Sequence, residues 1–85
     1  MSYFEYNISG NLTPELEEKT KMILDKVNDG SAFFIVQKYW DEDITPEKKQ
    51  RNIVLTSHVD IWLPLFDMLK GNGLNFSVYY KQRII

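Results

Sequence analysis

His58 and Asp60 are the pair best suited by type to move a proton. A carboxylate near an imidazole can orient it as a general base. The two-residue spacing is not diagnostic of that chemistry, however, and a histidine at the first turn of a helix is ordinarily exposed. His58 is the single histidine and there is no cysteine. A thiolate metal site, a cysteine nucleophile and a disulfide framework are therefore excluded. Asp41-Glu42-Asp43 has the acidic density of a calcium loop, but not the glycine at its sixth position or the glutamate at its twelfth. It reads as an acidic hairpin tip in water. Gly71 and Gly73 follow a helical segment, whereas phosphate-cradling glycines precede one, so their expected role is helix termination. No cofactor or metal is implied.

Basic residues interleaved with aromatics are the richer pattern. Residues 1–47 hold four lysines against ten acids, a balance of −6. Residues 48–85 hold four lysines and two arginines against Asp60 and Asp67, a balance of +4. Lys48, Lys49, Arg51, Lys81 and Arg83 could neutralise phosphates, and Tyr39, Trp40, Tyr79 and Tyr80 could stack bases or anchor a partner. The same rings could equally fill a core and pair across a sheet. The charges could also mix in space, because consecutive elements become neighbours.

The elements that must position these residues follow a β-α-β-β-α-β order. Tyr3 to Ser9 alternates, with Phe4, Tyr6 and Ile8 on one face. Thr13-Pro14 opens a helix with Thr13 as N-cap, and Glu15, Glu17 and Glu18 favour its positive end. Leu16, Thr20, Ile23 and Val27 form its inner stripe, and Asn28-Asp29-Gly30 stops it. The second strand is expected over Ser31 to Trp40. Asp41 to Gln50 is expected as a charged loop, with a helical turn over 45–49. The third strand is expected over Asn52 to Thr56. Ser57 would cap a second helix with Asp60 in the capping box. Pro64 conflicts with that start, unless the helix begins nearer Asp60. Gly71-Asn72-Gly73 ends the helix, and Asn75 to Ile85 is the last strand.

This order predicts a single α+β domain over residues 1–85, a ferredoxin-like βαββαβ two-layer sandwich. Its four-stranded antiparallel sheet would have the first and third strands central, the second and fourth at the edges, and both helices on one face. The Phe33, Phe34, Ile35, Val36 run would then lie on an edge strand, an apolar edge that invites pairing with another chain and a homodimer.

Three families share the segment order. Phe4-Glu5-Tyr6-Asn7-Ile8 resembles the first-strand motif of RNA-recognition motifs, in which a later aromatic strand also stacks bases. The corresponding Asn52-Ile53-Val54-Leu55-Thr56 contains no aromatic, so membership is not assigned. Acylphosphatases need an arginine-bearing loop after the first strand, where this chain has Ser9-Gly10-Asn11-Leu12. The small nucleases of CRISPR adaptation carry an acid at the end of that strand, where this chain has Asn7. Both enzyme analogies fail at the residues that matter.

The expectation is a small non-enzymatic binding protein that acts by protein–protein contact. Eight lysines to two arginines and a single alanine match the bias of an AT-rich genome. A phage or low-GC bacterial accessory factor that inhibits or regulates a host enzyme or nuclease toxin fits that bias. An RNA or single-stranded nucleic-acid binder is the second reading, and a small enzyme on the same fold the third. No run is long enough to span a bilayer, so no membrane partner is expected and the cytoplasm is the expected location.

Overall fold

The computed structural model describes residues 2–71 and 76–84. Six elements follow one another: β1 (Ser2–Asn11), α1 (Pro14–Asn28), β2 (Ile35–Thr45), β3 (Lys48–Ser57), α2 (Trp62–Leu69) and β4 (Phe76–Ile84). The strands form one sheet in the order β2-β3-β1-β4, and every pairing is antiparallel. The chain is thus α+β, with an antiparallel sheet and two helices. β1 and β3 are central, and β2 and β4 lie at the edges.

Alternation along the central strands builds the core. Tyr6 pairs with Leu55 and Ile8 with Ile53, so these four side chains share one face. Ile23 of α1, Leu65 and Leu69 of α2, and Ile61 just before α2 cover that face. Leu16 is buried at the start of α1. Buried Thr20 returns its hydroxyl to the Leu16 carbonyl at 2.8 Å, which satisfies it without an outside partner.

Thr13 caps α1, its Oγ1 accepting from the Leu16 N–H at 3.2 Å, and Pro14 takes the first helical position. The helix unwinds through Gly30, whose φ of +78° suits a residue without a Cβ. The Ser31 and Ala32 N–H groups then return to the Lys26 carbonyl. That reversal occupies Ser31 and Ala32, so β2 starts at Ile35 and not at Ser31. Val27 is only half-buried, because the inner stripe leaves the sheet at its last turn.

The charged stretch expected as a loop is strand on both sides. Asp41 pairs with Arg51, Asp43 with Lys49 and Thr45 with Lys48. Opposite charges facing each other across an antiparallel ladder stabilise it, and this extends the hairpin to a two-residue tip, Pro46-Glu47. No described non-glycine residue has positive φ, which excludes the usual primed hairpin turn. A register shift between Asp43 and Thr45 absorbs the resulting mismatch of twist. The long arm helps give the chain extents of 43 × 24 × 21 Å.

α2 begins at Trp62 and not after Ser57. Ser57 Oγ instead accepts from the Val59 N–H and donates to the Phe33 carbonyl. Pro64 becomes the third helical residue, where no intrahelical acceptor awaits an N–H. The Lys70 N–H closes the helix on the Phe66 carbonyl. Asn72, Gly73 and Asn75, expected at the helix stop and strand start, lie outside the described residues. No described helix is long and apolar enough to cross a membrane.

Ile23→Ala should lower unfolding free energy by roughly 2–5 kcal/mol through lost burial and a cavity. Val27→Ala should cost clearly less, since its site is half-open. Urea denaturation of the two variants checks this, and equal losses would contradict the packing.

Candidate functional site

The sheet separates two surfaces of different chemistry. Glu5, Asn7 and Ser9 of β1 alternate with the buried Tyr6 and Ile8 and so face away from the helices. Their partners Thr56, Val54 and Asn52 share that open face, as do Lys81, Tyr79 and Ser77 of β4. On β2, Lys38 pairs with Val54 and Trp40 with Asn52, which places both there too.

The open face is largely a lattice of polar side chains. Ser9 and Ser77 share a hydrogen bond at 2.9 Å, Gln50 donates to Asn52 Oδ1 at 3.0 Å, and Gln37 donates to Thr56 at 2.9 Å. Trp40 Nε1 donates to Glu42 at 2.8 Å. Lys38 Nζ sits 4.9 Å from the centre of the Trp40 ring, and Lys81 Nζ 5.7 Å from that of Tyr79, both within cation–π range. A trough of about 500 Å³ runs between Trp40 and Tyr79 over Asn7, Asn52, Ser9 and Ser77. A second trough, about 510 Å³, lies further along the same face between Tyr3, Glu5, Thr56, Phe33 and Ile35, with His58 at its rim.

The basic residues expected to act together are dispersed. Arg51 lies on the helix side of the sheet with its side chain 8% exposed, and Asp41 grips it through two hydrogen bonds of 2.8 and 3.0 Å. Its guanidinium packs over Tyr39 at 5.2 Å. Arg51 and Tyr39 therefore serve the hairpin and do not join the open face. Lys48 and Lys49 stand at the hairpin tip, opposite Thr45 and Asp43. Lys81 and Arg83 both approach Glu5, at 3.8 and 3.3 Å. Trp40, Tyr79, Lys81 and Arg83 do share the open face. Tyr80 stands opposite Tyr6 in the ladder, and its side chain lies outside the described residues.

The proton-transfer pair is not assembled. Asp60 Oδ1 accepts from the Tyr6 hydroxyl at 2.8 Å and from the Trp62 N–H at 2.9 Å, while His58 is exposed. The acidic triplet cannot converge on one ion, because a strand points alternate residues to opposite faces. Asp41 meets Arg51 on one side and Glu42 meets Trp40 on the other. Among the described residues no group of three or more histidines and acids could hold a metal.

A second surface was not singled out from the sequence. Val59, Trp62, Leu63 and Phe66 are exposed, Leu63 by 70%. The Trp62 and Phe66 rings stack with centroids 6.4 Å apart. Phe33, 80% exposed, and Val59 belong to the two segments that the Ser57 hydroxyl links. Ile35 is exposed nearby on the β2 edge. Phe33 and Ile35 line the trough on the open face, whereas Trp62, Leu63 and Phe66 belong to α2. The signal was present in Ile61-Trp62-Leu63-Pro64-Leu65-Phe66, which is apolar on every side of a short helix.

Within the expected association run, Phe34 and Val36 pack against the core while Phe33 and Ile35 face out. Only Ile35 and Val36 belong to β2. The rest of that edge carries Lys38, Asp41, Glu42 and Asp43 and two register shifts, features that blunt edge pairing.

No protein-family model matches the chain, and no curated protein matches it. Among solved structures it is similar to the de novo designed protein Foldit4, with a TM-score of 0.61 at 11% identity over 94% of each chain. That likeness shows the fold alone. A second neighbour is LarC2, the C-terminal domain of a cyclometallase involved in the synthesis of the NPN cofactor of lactate racemase, in its apo form. It has a TM-score of 0.43 at 9% identity, over 95% of this chain and 58% of that one, a likeness too slight to carry an argument.

Hydrogen bonding from Arg51 holds the Asp41 carboxyl below the usual aspartate value, and Asp41 in turn raises Arg51. A depressed folded-state value means that the pair stabilises above the unfolded aspartate pKa, about 3.9. The contribution is lost as pH falls through the lower folded value. Asp41→Asn should remove this acid-sensitive part of the stability curve. At neutral pH it should cost about 1–3 kcal/mol by leaving Arg51 poorly paired. Denaturant midpoints between pH 2 and 7 measure both effects.

Proposed function

We propose that this chain is a small non-enzymatic binding domain on a ferredoxin-like βαββαβ frame that docks a partner protein by the exposed apolar side chains of α2. The strand order β2-β3-β1-β4 supports the frame. The observation that carries the function is the set of large exposed apolar side chains on and just before α2, Val59, Trp62, Leu63 and Phe66, with the Trp62 and Phe66 rings stacked. Exposed apolar clusters of this kind mark interaction sites, and aromatic anchors such as Trp62 and Phe66 supply much of the energy at interfaces. The pairing of Arg51 with Asp41 and the position of Lys49 opposite Asp43 break up the basic stripe that a phosphate backbone would need on the hairpin. The occupant of the α2 surface is a complementary apolar surface of low charge, because the charged neighbours Asp67 and Lys70 pair with each other at 3.5 Å. Covering such a surface would inhibit or regulate the partner by occlusion in the cytoplasm of the producing or host cell.

The test compares affinity purification from producing cells, with RNase, for the wild type, Leu63→Asp/Phe66→Asp and Lys48→Glu/Lys49→Glu. The expected result is one stoichiometric protein partner, or a second copy of the chain, that survives RNase. It should be lost with the α2 variant, which removes the Phe66 anchor and puts two charges on the apolar surface, and retained with the hairpin variant. Recovery independent of the α2 variant, or abolished by RNase, would overturn the reading. Sedimentation of the purified chain separates self-association from a foreign partner.

A further inference from the structure

The trough between Trp40 and Tyr79 lies on the face of the sheet opposite α2. Its lining includes Asn7, Asn52, Ser9 and Ser77 together with Ile8, Ile53 and Val78. Ser9 and Ser77 bond each other and Asn52 Oδ1 takes the Gln50 amide, so an apolar cover would deny water only to the remaining donors and acceptors of these groups. The Asn52 Nδ2 group is buried without a hydrogen-bond partner among the described residues, a donor left unmet beside the trough. The walls are aromatic, and each carries a lysine. Lys38 makes no ion pair among the described residues, whereas Lys81 is shared with Glu5.

We propose that this trough binds single-stranded nucleic acid. Bases stack on Trp40 and Tyr79, the Asn7 and Asn52 amides meet base edges, and Lys38 and Lys81 leave the ring faces for phosphates. Stacking on aromatic rings beside cations is how sequence-tolerant single-strand binders work. The two walls stand three strand spacings apart, roughly 14 Å, which leaves room for a base on each ring and one nucleotide between them. The net charge of −2 does not oppose this arrangement. The acids Glu15, Glu17 and Glu18 belong to α1, on the far side of the sheet; on the open face Glu42 holds the Trp40 indole N–H and Glu5 is matched by Lys81 and Arg83. Arg83, at 3.3 Å from Glu5, extends the cationic edge along β4. A rigid duplex hides its base faces and cannot stack on either ring.

The experiment is fluorescence anisotropy at low ionic strength with labelled mixed-sequence RNA and DNA oligonucleotides, single-stranded and as duplexes. Single strands of either sugar should bind in preference to duplex. The slope of log affinity against log salt should be about −1.4 to −2.1, from two or three cations. Trp40→Ala and Tyr79→Ala should each weaken binding roughly 5- to 150-fold, with Trp40→Phe retaining most of it. Lys38→Glu should weaken binding to all sequences alike. Lys48→Glu/Lys49→Glu, at the hairpin tip, should leave it unchanged. Thermal melts establish that each variant is folded, and the mild Lys38→Glu and Trp40→Phe changes keep the test valid if an alanine variant is not. Absence of single-strand binding, equal binding of duplex, or a loss that follows Lys48 and Lys49 instead of Trp40 would each overturn the proposal.

Discussion

A tyrosine hydroxyl in the middle of the core is the constraint on which the helix layer depends. Tyr6 is fully buried on central strand β1, where an unmet hydroxyl would cost several times what a met one contributes. It is met twice. The hydroxyl donates to Asp60 Oδ1 and accepts from the Ile61 N–H, both at 2.8 Å. Those bonds fix the segment between β3 and α2, and the same Asp60 oxygen takes the Trp62 N–H at the helix start. Three features follow. Residues 58–61 stay non-helical. Pro64 falls where it does no harm. Leu65 and Leu69, one turn apart, point inward, which leaves Trp62, Leu63 and Phe66 outside. The exposed apolar face thus results from how the helix is tethered, and so does the proposed docking surface.

The hairpin is organised by charge instead. Asp41 and Asp43 stand opposite Arg51 and Lys49, and the Asp41–Arg51 ion pair takes that guanidinium out of any phosphate-binding stripe. The sheet then divides what remains. The helix side holds the core, the buried Arg51 and the acids of α1. The open side holds amides, hydroxyls, two lysine-capped rings and the Glu5 cluster. An apolar surface and a polar aromatic trough suit different ligands, and their separation on the fold lets each be probed without disturbing the other.

Much of the architecture was legible because it rests on local rules. Period-two alternation over Tyr3 to Ser9, the Thr13-Pro14 start and the Leu16, Thr20, Ile23 stripe each have a short-range physical cause. The misreadings came from interactions distant in sequence. Asp41 to Gln50 looks like a loop until its acids meet Lys49 and Arg51 across the ladder. Ser57 looks like a helix cap until the hydroxyl of Tyr6, more than fifty residues away, claims Asp60 and Ile61. The site residues follow the same division. Trp40, Tyr79, Lys81 and Arg83 share a face because strand periodicity puts them there. Arg51 and Tyr39 are on the other face by the same parity, which requires the β2–β3 register and its shift at Val36/Lys38. Asn7, Asn52 and Lys38 become a group only once three strands are aligned.

The central claim is that Asp60 holds α2 in place through Tyr6, and a double-mutant cycle with Tyr6→Phe and Asp60→Ala tests it most directly. If the hydroxyl–carboxylate bond is the tether, the two losses should fall short of additive by about 0.5–3 kcal/mol. Hydrogen exchange should then quicken in α2 before it does in β1 or β3 in either single variant. Strictly additive losses, with α2 amides as protected as in the wild type, would contradict the account and leave the orientation of α2 to apolar packing alone.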